Sequence, residues 1–200
     1  MADEPVEVAE PPEEETEKPR LDPEVEARRA AAMSFIRRLG DPALKSRATE
    51  VDRFDESLRS QVSRMAGLMS DALGIGLAAP QLGVSQRLLI YRVGPDAPVI
   101  ALANPEIEWL SEEADVLEEG CLSLPGVQLD IERPIHVRVR ARDERGEERT
   151  VEASGLEARV IQHELDHLDG LLILDRGTRE QRKAAMRGIR EAEERSEDAA

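Results

Sequence analysis

Apolar residues recur at steps of three and four between Asp55 and Leu73: Leu58, Val62, Met65, Met69 and Leu73. That spacing predicts an amphipathic helix. Asp55 stands where a side-chain oxygen can cap the first turn, and Gly74 where a left-handed residue can follow the last. Further along, the period changes. Arg87 to Val93 (RLLIYRV) and Val99 to Ile107 (VIALANPEI) are apolar runs of strand length. From His136 to Arg142 (HVRVRAR) apolar and polar residues alternate, the pattern of a strand with one buried face. The polar stretch DERGEER then leads to TVEA, as in a hairpin. The helical period returns from Leu156 to Leu168, stopping at Asp169-Gly170, and again from about Thr178 to Arg195. Strands in the middle with helices on either side predict an α+β fold rather than an alternating α/β one.

Composition divides the chain. The first 32 residues hold eleven acids against four bases, seven of the sixteen net negative charges of the 200-residue chain. Proline is frequent there and large apolar residues are few, so residues 1–33 are expected to be a disordered acidic extension whose last third is at most transiently helical. A Gly-Asp-Pro turn in FIRRLGDPAL opens the folded part. Residues 34–177 form the expected catalytic domain, and residues 178–200 a C-terminal helix and tail. Aromatic residues are only 2% of the chain, so the core must be aliphatic. The net charge of −16 argues against a general nucleic-acid binder, which a polyphosphate would repel. A single cysteine, Cys121, rules out an internal disulfide and fits a reducing compartment. No apolar run approaches the roughly 20 residues of a membrane span. The start of the chain lacks a secretory pattern and is too acidic for a transit peptide. A cytoplasmic protein acting as a monomer is the expectation.

Two of the three histidines lie in IQHELDH, Ile161 to His167. Residues four apart on a helix differ by only about 40° around its axis, so His163 and His167 can direct both imidazoles at one ion. Glu164 points about 100° away from His163, beside the ion rather than onto it, where a general base is useful. The bland alternative is a solvated face carrying two histidines and two acids. Val160, Ile161, Leu165 and Leu168 argue against it, because they make the helix apolar nearly all round.

Two histidines leave a catalytic site one ligand short. Where some metalloproteases place a third histidine, this chain has Ile173. His136 lies upstream in the alternating strand, and Glu180 and Glu191 lie in a strongly polar segment. Cys121, in the sharp bend EEGCLSLPG, is the preferred third ligand, although a lone cysteine is more often inert packing. The stretch GIGLAAPQLG, Gly74 to Gly83, superficially matches a dinucleotide fingerprint. That fingerprint needs a strand before it and a helix after it, and here a helix precedes. Small residues at this density instead let a substrate backbone approach closely. Gln81, the polar side chain among them, can donate to a carbonyl oxygen that gains negative charge. The plain alternative is a tight turn with an exposed glutamine.

Taken together and in this order, GIGLAAPQ, EGCLS and QHELDH resemble the peptide deformylases over about Phe35 to Asp175. The resemblance implies strands around a central metal-binding helix. It implies a divalent ion, most often Fe²⁺ (with Ni²⁺, Co²⁺ or Zn²⁺ able to substitute), held by Cys121, His163 and His167 with water in the fourth place. It implies that Glu164 takes the proton of that water and passes it to the leaving amine. The Gln81 side chain and the Leu122 backbone N–H would hold the oxyanion. The backbone at Ile75 and Gly76 would pair with the substrate, and Ile75 and Val160 would line its methionine pocket. Glu119 would stand behind the ligands, paired with Arg133. The implied reaction removes the formyl group from N-formylmethionyl nascent chains in a bacterial cytoplasm.

Other readings make different demands. A metallopeptidase would use the same histidines without a cysteine ligand. A cysteine hydrolase would need no metal. A non-catalytic metal protein would need neither Glu164 nor Gln81. The last helix carries Arg179, Arg182, Lys183, Arg187 and Arg190 at three- and four-residue steps, a basic stripe on an acidic chain. It is either a solvated face paired with Glu180, Glu191 and Glu194, or a docking surface for ribosomal RNA.

Overall fold

A computed structural model describes residues 21–198 of the chain. It begins with helix α1, Pro23–Met33, capped by the Asp22 carboxylate, which accepts from the Glu24 N–H. Pro23 suits the first helical position because the N–H it lacks would have no partner there. Ala32 and Met33 at its end are buried. This ordered helix corrects the expectation of disorder up to residue 33, and its reason is the apolar end of the helix. The rest of that expectation, residues 1–20, lies outside the described residues.

Helix α2, Glu56–Asp71, forms where the periodic apolar residues predict it, with Asp55 accepting from the N–H groups of Ser57 and Leu58. Its end differs from expectation. Leu73, with φ of 60°, takes the left-handed conformation that was assigned to Gly74. Gly74 serves a different need: a Cβ there would lie 3.0 Å from Leu122 Cδ1.

Five strands form one antiparallel sheet: β1 (Gly76–Ala78), β2 (Leu88–Tyr91), β3 (Ile100–Leu110), β6 (His136–Arg142) and β7 (Glu148–Ser154), in the order β1-β2-β3-β6-β7. Strands β4 (Ala114–Cys121) and β5 (Leu124–Pro134) make a separate two-stranded sheet. Helix α3, Leu156–Leu168, follows β7; the short α4, Ile173–Arg176, and the long α5, Arg179–Asp198, complete the chain.

The period of two along each strand sorts side chains onto the two faces of the large sheet. Leu77, Leu88 and Ile90 face α1 and α2, in one cluster with Met33, Leu58, Met65 and Met69. Ala78, Leu89, Tyr91, Val137 and Val139 face α3, packing on Ala158, Ile161, Leu165 and Leu168. Both faces are covered, so every residue of LLIY in β2 is buried. A third cluster joins Leu124, Val127, Leu129 and Ile131 of the small sheet to Ile173, Leu174 and, more peripherally, Met186 and Ile189 of α5. The helix that carries the histidines is thus wedged between the two sheets, as the expected α+β fold requires.

Candidate metal centre

The cluster is assembled from two distant pieces of chain. Strand β4 delivers Cys121 at its last position, where the register with β5 slips between Gly120 and Cys121. Helix α3 delivers His163 and His167 one turn apart, their ring centroids 5.0 Å from each other. One donor atom from each of Cys121, His163 and His167 lies within 4.8 Å of the others, with Cys121 Sγ 3.3 Å from His167 Nε2. A four-coordinate ion with bonds of about 2.0–2.3 Å sets its nitrogen and sulfur donors roughly 3.3–3.6 Å apart. The donor spacing and the soft sulfur–imidazole set therefore fit a divalent transition metal. Among the described residues the other candidates do not join: His136 lies on β6 with its Nδ1 2.9 Å from Ser154 Oγ, and Glu180 and Glu191 are exposed on α5.

Behind His163 stands a buried charge network. Its Nδ1 is 3.0 Å from Glu119 Oε2, which leaves Nε2 for the ion. Arg133 grips Glu119 through both carboxylate oxygens, at 2.6 and 2.9 Å, and Arg159 adds a contact at 2.8 Å. Arg133 also reaches Asp166 at 3.0 Å, and Arg176 closes the chain on Asp166. Burial pushes the Glu119 carboxyl up, but hydrogen bonds from His163 and Arg133 outweigh it and bring it down to about 2. Such partners are what make a buried carboxylate tolerable. The expected Glu119–Arg133 pair is present; Arg159, Asp166 and Arg176 were not foreseen. A signal existed for two of them, since Arg159 and Asp166 are charged residues on a helix whose neighbours mark it as buried.

The two imidazoles differ. Burial pushes His163 down, but its hydrogen bonds to Cys121 and Glu119 and the charge of Glu164 raise it to about 10. For His167, burial and the charges of His163 and Arg133 act together and hold it well below the ordinary value. A cation held by the cluster would displace a proton from the His163 donor nitrogen, because a ligating imidazole must be neutral at the donor atom.

Glu164 lies on α3 beside the ligands, buried, and its Oε2 has no hydrogen-bond partner among the described residues. Burial lifts its carboxyl to about 7, with His163 and Arg133 pulling the other way. Gly76 explains the tightness here: a Cβ on it would sit 2.3 Å from Glu164 Oε1. Gln81 occupies a 3₁₀ turn, Ala79–Leu82, after β1 and is only 2% exposed, which rules out the reading of an exposed turn residue. The Ala78 N–H donates to its Oε1 at 2.9 Å. That bond fixes the amide so that Nε2 points to Ser123 Oγ at 3.2 Å and toward Cys121 Sγ at 3.8 Å.

The cluster opens, through Cys121 and His163, onto one cavity of about 540 Å³. Ile75, Gly76, Gln81, Cys121, Leu122, Val160, His163 and Glu164 line it, so it brings together every site residue expected from the sequence except the buried ligand His167. Gly76, the first residue of β1, lies in its wall, and β1 is the edge strand of its sheet. Arg29 and Met33 of α1 line it as well, which nothing in the sequence indicated.

Comparison with known proteins agrees with this geometry. The family model described as polypeptide deformylase matches residues 33–183. A peptide deformylase of Parafrankia sp. is 50% identical over 158 residues, 79% of this chain and 86% of the relative. The crystal structure of a peptide deformylase from Synechococcus elongatus in complex with actinonin superposes with a TM-score of 0.74 at 42% identity, over 77% of this chain and 86% of that one. The Thermotoga maritima peptide deformylase structure gives 0.69 at 46% identity, over 72% of this chain and 96% of that one.

Proposed function

Because the chain belongs to the peptide deformylase family, we propose a specific division of labour among its site residues for the removal of the N-formyl group from newly made polypeptides. The observation that carries it is the three-donor cluster within 4.8 Å, with an unpartnered Glu164 oxygen beside it. A divalent ion in that cluster supplies Lewis acidity toward the formyl oxygen and the attacking water. Glu164 takes a proton from the water as its oxygen bonds to the formyl carbon. It returns that proton to the amine nitrogen as the C–N bond breaks, leaving formate and a free N-terminus. A carboxyl lifted by burial toward neutrality is suited to both transfers; a bound cation would draw it back toward the ionised form in which the cycle begins.

Gln81 Nε2, held in place by the Ala78 contact to its oxygen, donates to the formyl oxygen as negative charge grows there. The Leu122 N–H is the second donor. The backbone around Ile75 and Gly76, at the start of the edge strand β1, takes the peptide backbone as an added strand, a common mode of peptide recognition. Ile75 and Val160 contact the methionine side chain.

The ion proposed is Fe²⁺, with Ni²⁺, Co²⁺ and Zn²⁺ as substitutes. The enzyme is proposed to act as a monomer in a bacterial cytoplasm, on chains still held by the ribosome. Two observations support that setting. No described helix is long and apolar enough to cross a membrane. Arg179, Arg182, Lys183, Arg187 and Arg190 are all exposed on α5, and none makes an ion pair within the described residues.

The test is anaerobic purification, metal analysis and a formyl-Met-Ala assay on one sample. Formate release that tracks stoichiometric iron is expected. Equal turnover of unformylated Met-Ala-Ser would overturn the reading, and turnover insensitive to chelation would remove the metal from it.

A further inference from the structure

The matched family region begins at Met33, so nearly all of α1 lies before it. Yet α1 builds part of the cavity wall. Met33 is buried against α2 and the large sheet, which fixes the end of the helix. Arg29 lies four residues earlier, on the same face, and lines the cavity beside Met33.

The charges around this cavity are uneven. Its other arginine, Arg159, is fully engaged, donating to Glu119, the Ile131 carbonyl and the Asp115 carbonyl, each at 2.8 Å. Glu118, Glu119 and Glu164 contribute three carboxylates to the lining. Arg29 is exposed and makes no hydrogen bond or ion pair within the described residues. It is therefore the cavity's uncommitted arginine among those residues, on the part of the wall that α1 supplies. A guanidinium without a partner is a ready bidentate site for a carboxylate.

We propose that Arg29 is a specificity-determining residue that binds acidic side chains downstream of the formyl-methionine, so that α1 selects among substrates. The inference rests on the deformylase reading above. On a chain of net charge −16, acidic peptides meet general repulsion, and a local cation at the cavity offsets it where binding occurs.

The experiment uses the full-length metal-loaded enzyme and C-terminally amidated formyl peptides. These are formyl-Met-Ala-Ala and versions with Asp or Lys at the second or third position. The wild type should favour Asp over Lys in at least one placement by about threefold to tenfold in kcat/KM, mainly through KM, as a partly exposed charge pair allows. Arg29→Ala should erase that ratio and Arg29→Glu should invert it. The wild-type ratio should also shrink as salt is raised, because the contact is screened. Ratios unchanged in both variants, or a uniform loss across all peptides, overturn the role given to Arg29. Failure of the wild type to deformylate any peptide would instead overturn the deformylase reading, and this inference with it.

Discussion

Helices α3 and α5 both carry a helical apolar period in sequence, and they are put to opposite uses. Ten of the thirteen residues of α3 are buried, so each polar side chain on it must have a partner or a task. Arg159 and Asp166 have partners, His163 has Glu119 on one nitrogen, and Glu164 and His167 each keep a buried polar atom without one. The unpartnered Glu164 oxygen lies beside the donor cluster, whereas His167 turns Nε2 to the cluster and keeps its unpartnered Nδ1 on the other side of the ring. On α5 none of the basic residues is buried; only the side facing β5, with Ala185, Met186 and Ile189, touches the core. The basic groups there are exposed, and their arrangement carries no obligation. Burial, rather than periodicity or charge, is what turns a polar residue on a helix into evidence.

Experiments can press on this contrast, beginning where the effect should be largest. Stripping the metal with a chelator should abolish formate release and lower the melting temperature, since an ion bound only by the folded state stabilises it. Calorimetry showing no change in melting would mean that α3 and β4 are not joined through the ion. Next, Glu164→Gln should cost about 10²–10⁴-fold in kcat with metal content intact. A variant that loses its metal and recovers when metal is added back would make Glu164 a ligand. Gln81→Ala should lower kcat by about 10²–10³-fold, with KM moving less; steady-state kinetics showing a near-normal kcat would send the amide elsewhere. Arg133→Met should leave Glu119 and Asp166 short of a buried cation, at a cost of about 3–5 kcal/mol, read as a midpoint shift in urea. The smallest effect belongs to α5. Reversing Arg182, Lys183, Arg187 and Arg190 to Glu should leave formyl-Met-Ala turnover within about twofold while abolishing low-salt co-sedimentation with ribosomes, a salt-sensitive contact. If the unmodified protein fails to co-sediment, the stripe is only a solvated surface. Removing α5 altogether is the less clean test, because Met186 and Ile189 leave the third cluster with it.

The same contrast explains what the sequence made legible. Leu156–Leu168 and His136–Arg142 have the boundaries that their apolar periods predicted, because both elements bury a regular set of positions. The hairpin of β4 and β5 was not read as strands. Val116, Leu117 and Glu118 are all exposed in β4, so no alternation marks that strand; β5 does alternate, with Val127, Leu129 and Ile131 buried between exposed polar residues, and was legible. Helix α1 was masked by its charge, with burial confined to Ala32 and Met33. In the site, residue types and motif spacing singled out Cys121, His163 and His167, whose donor atoms the fold brings within 4.8 Å of one another, and Glu164 and Gln81 near them. The wiring behind them was less accessible. Arg159 meets Glu119, and Asp166 meets Arg133 and Arg176, only through tertiary folding, and a lone charged letter does not name its partner.

Gly76 carries a consequence for how such a protein can vary. It transfers no proton, holds no ion and has no side chain, yet the space for its missing Cβ is already taken by the Glu164 carboxylate, 2.3 Å away. In a library of all single substitutions, position 76 should be as intolerant as the metal ligands. Tolerance alone would therefore misfile it among the reacting groups. Only the rescue pattern would tell them apart: a lost ligand or base can be answered by added metal or by a different chemical group, whereas an occupied volume admits no such reply.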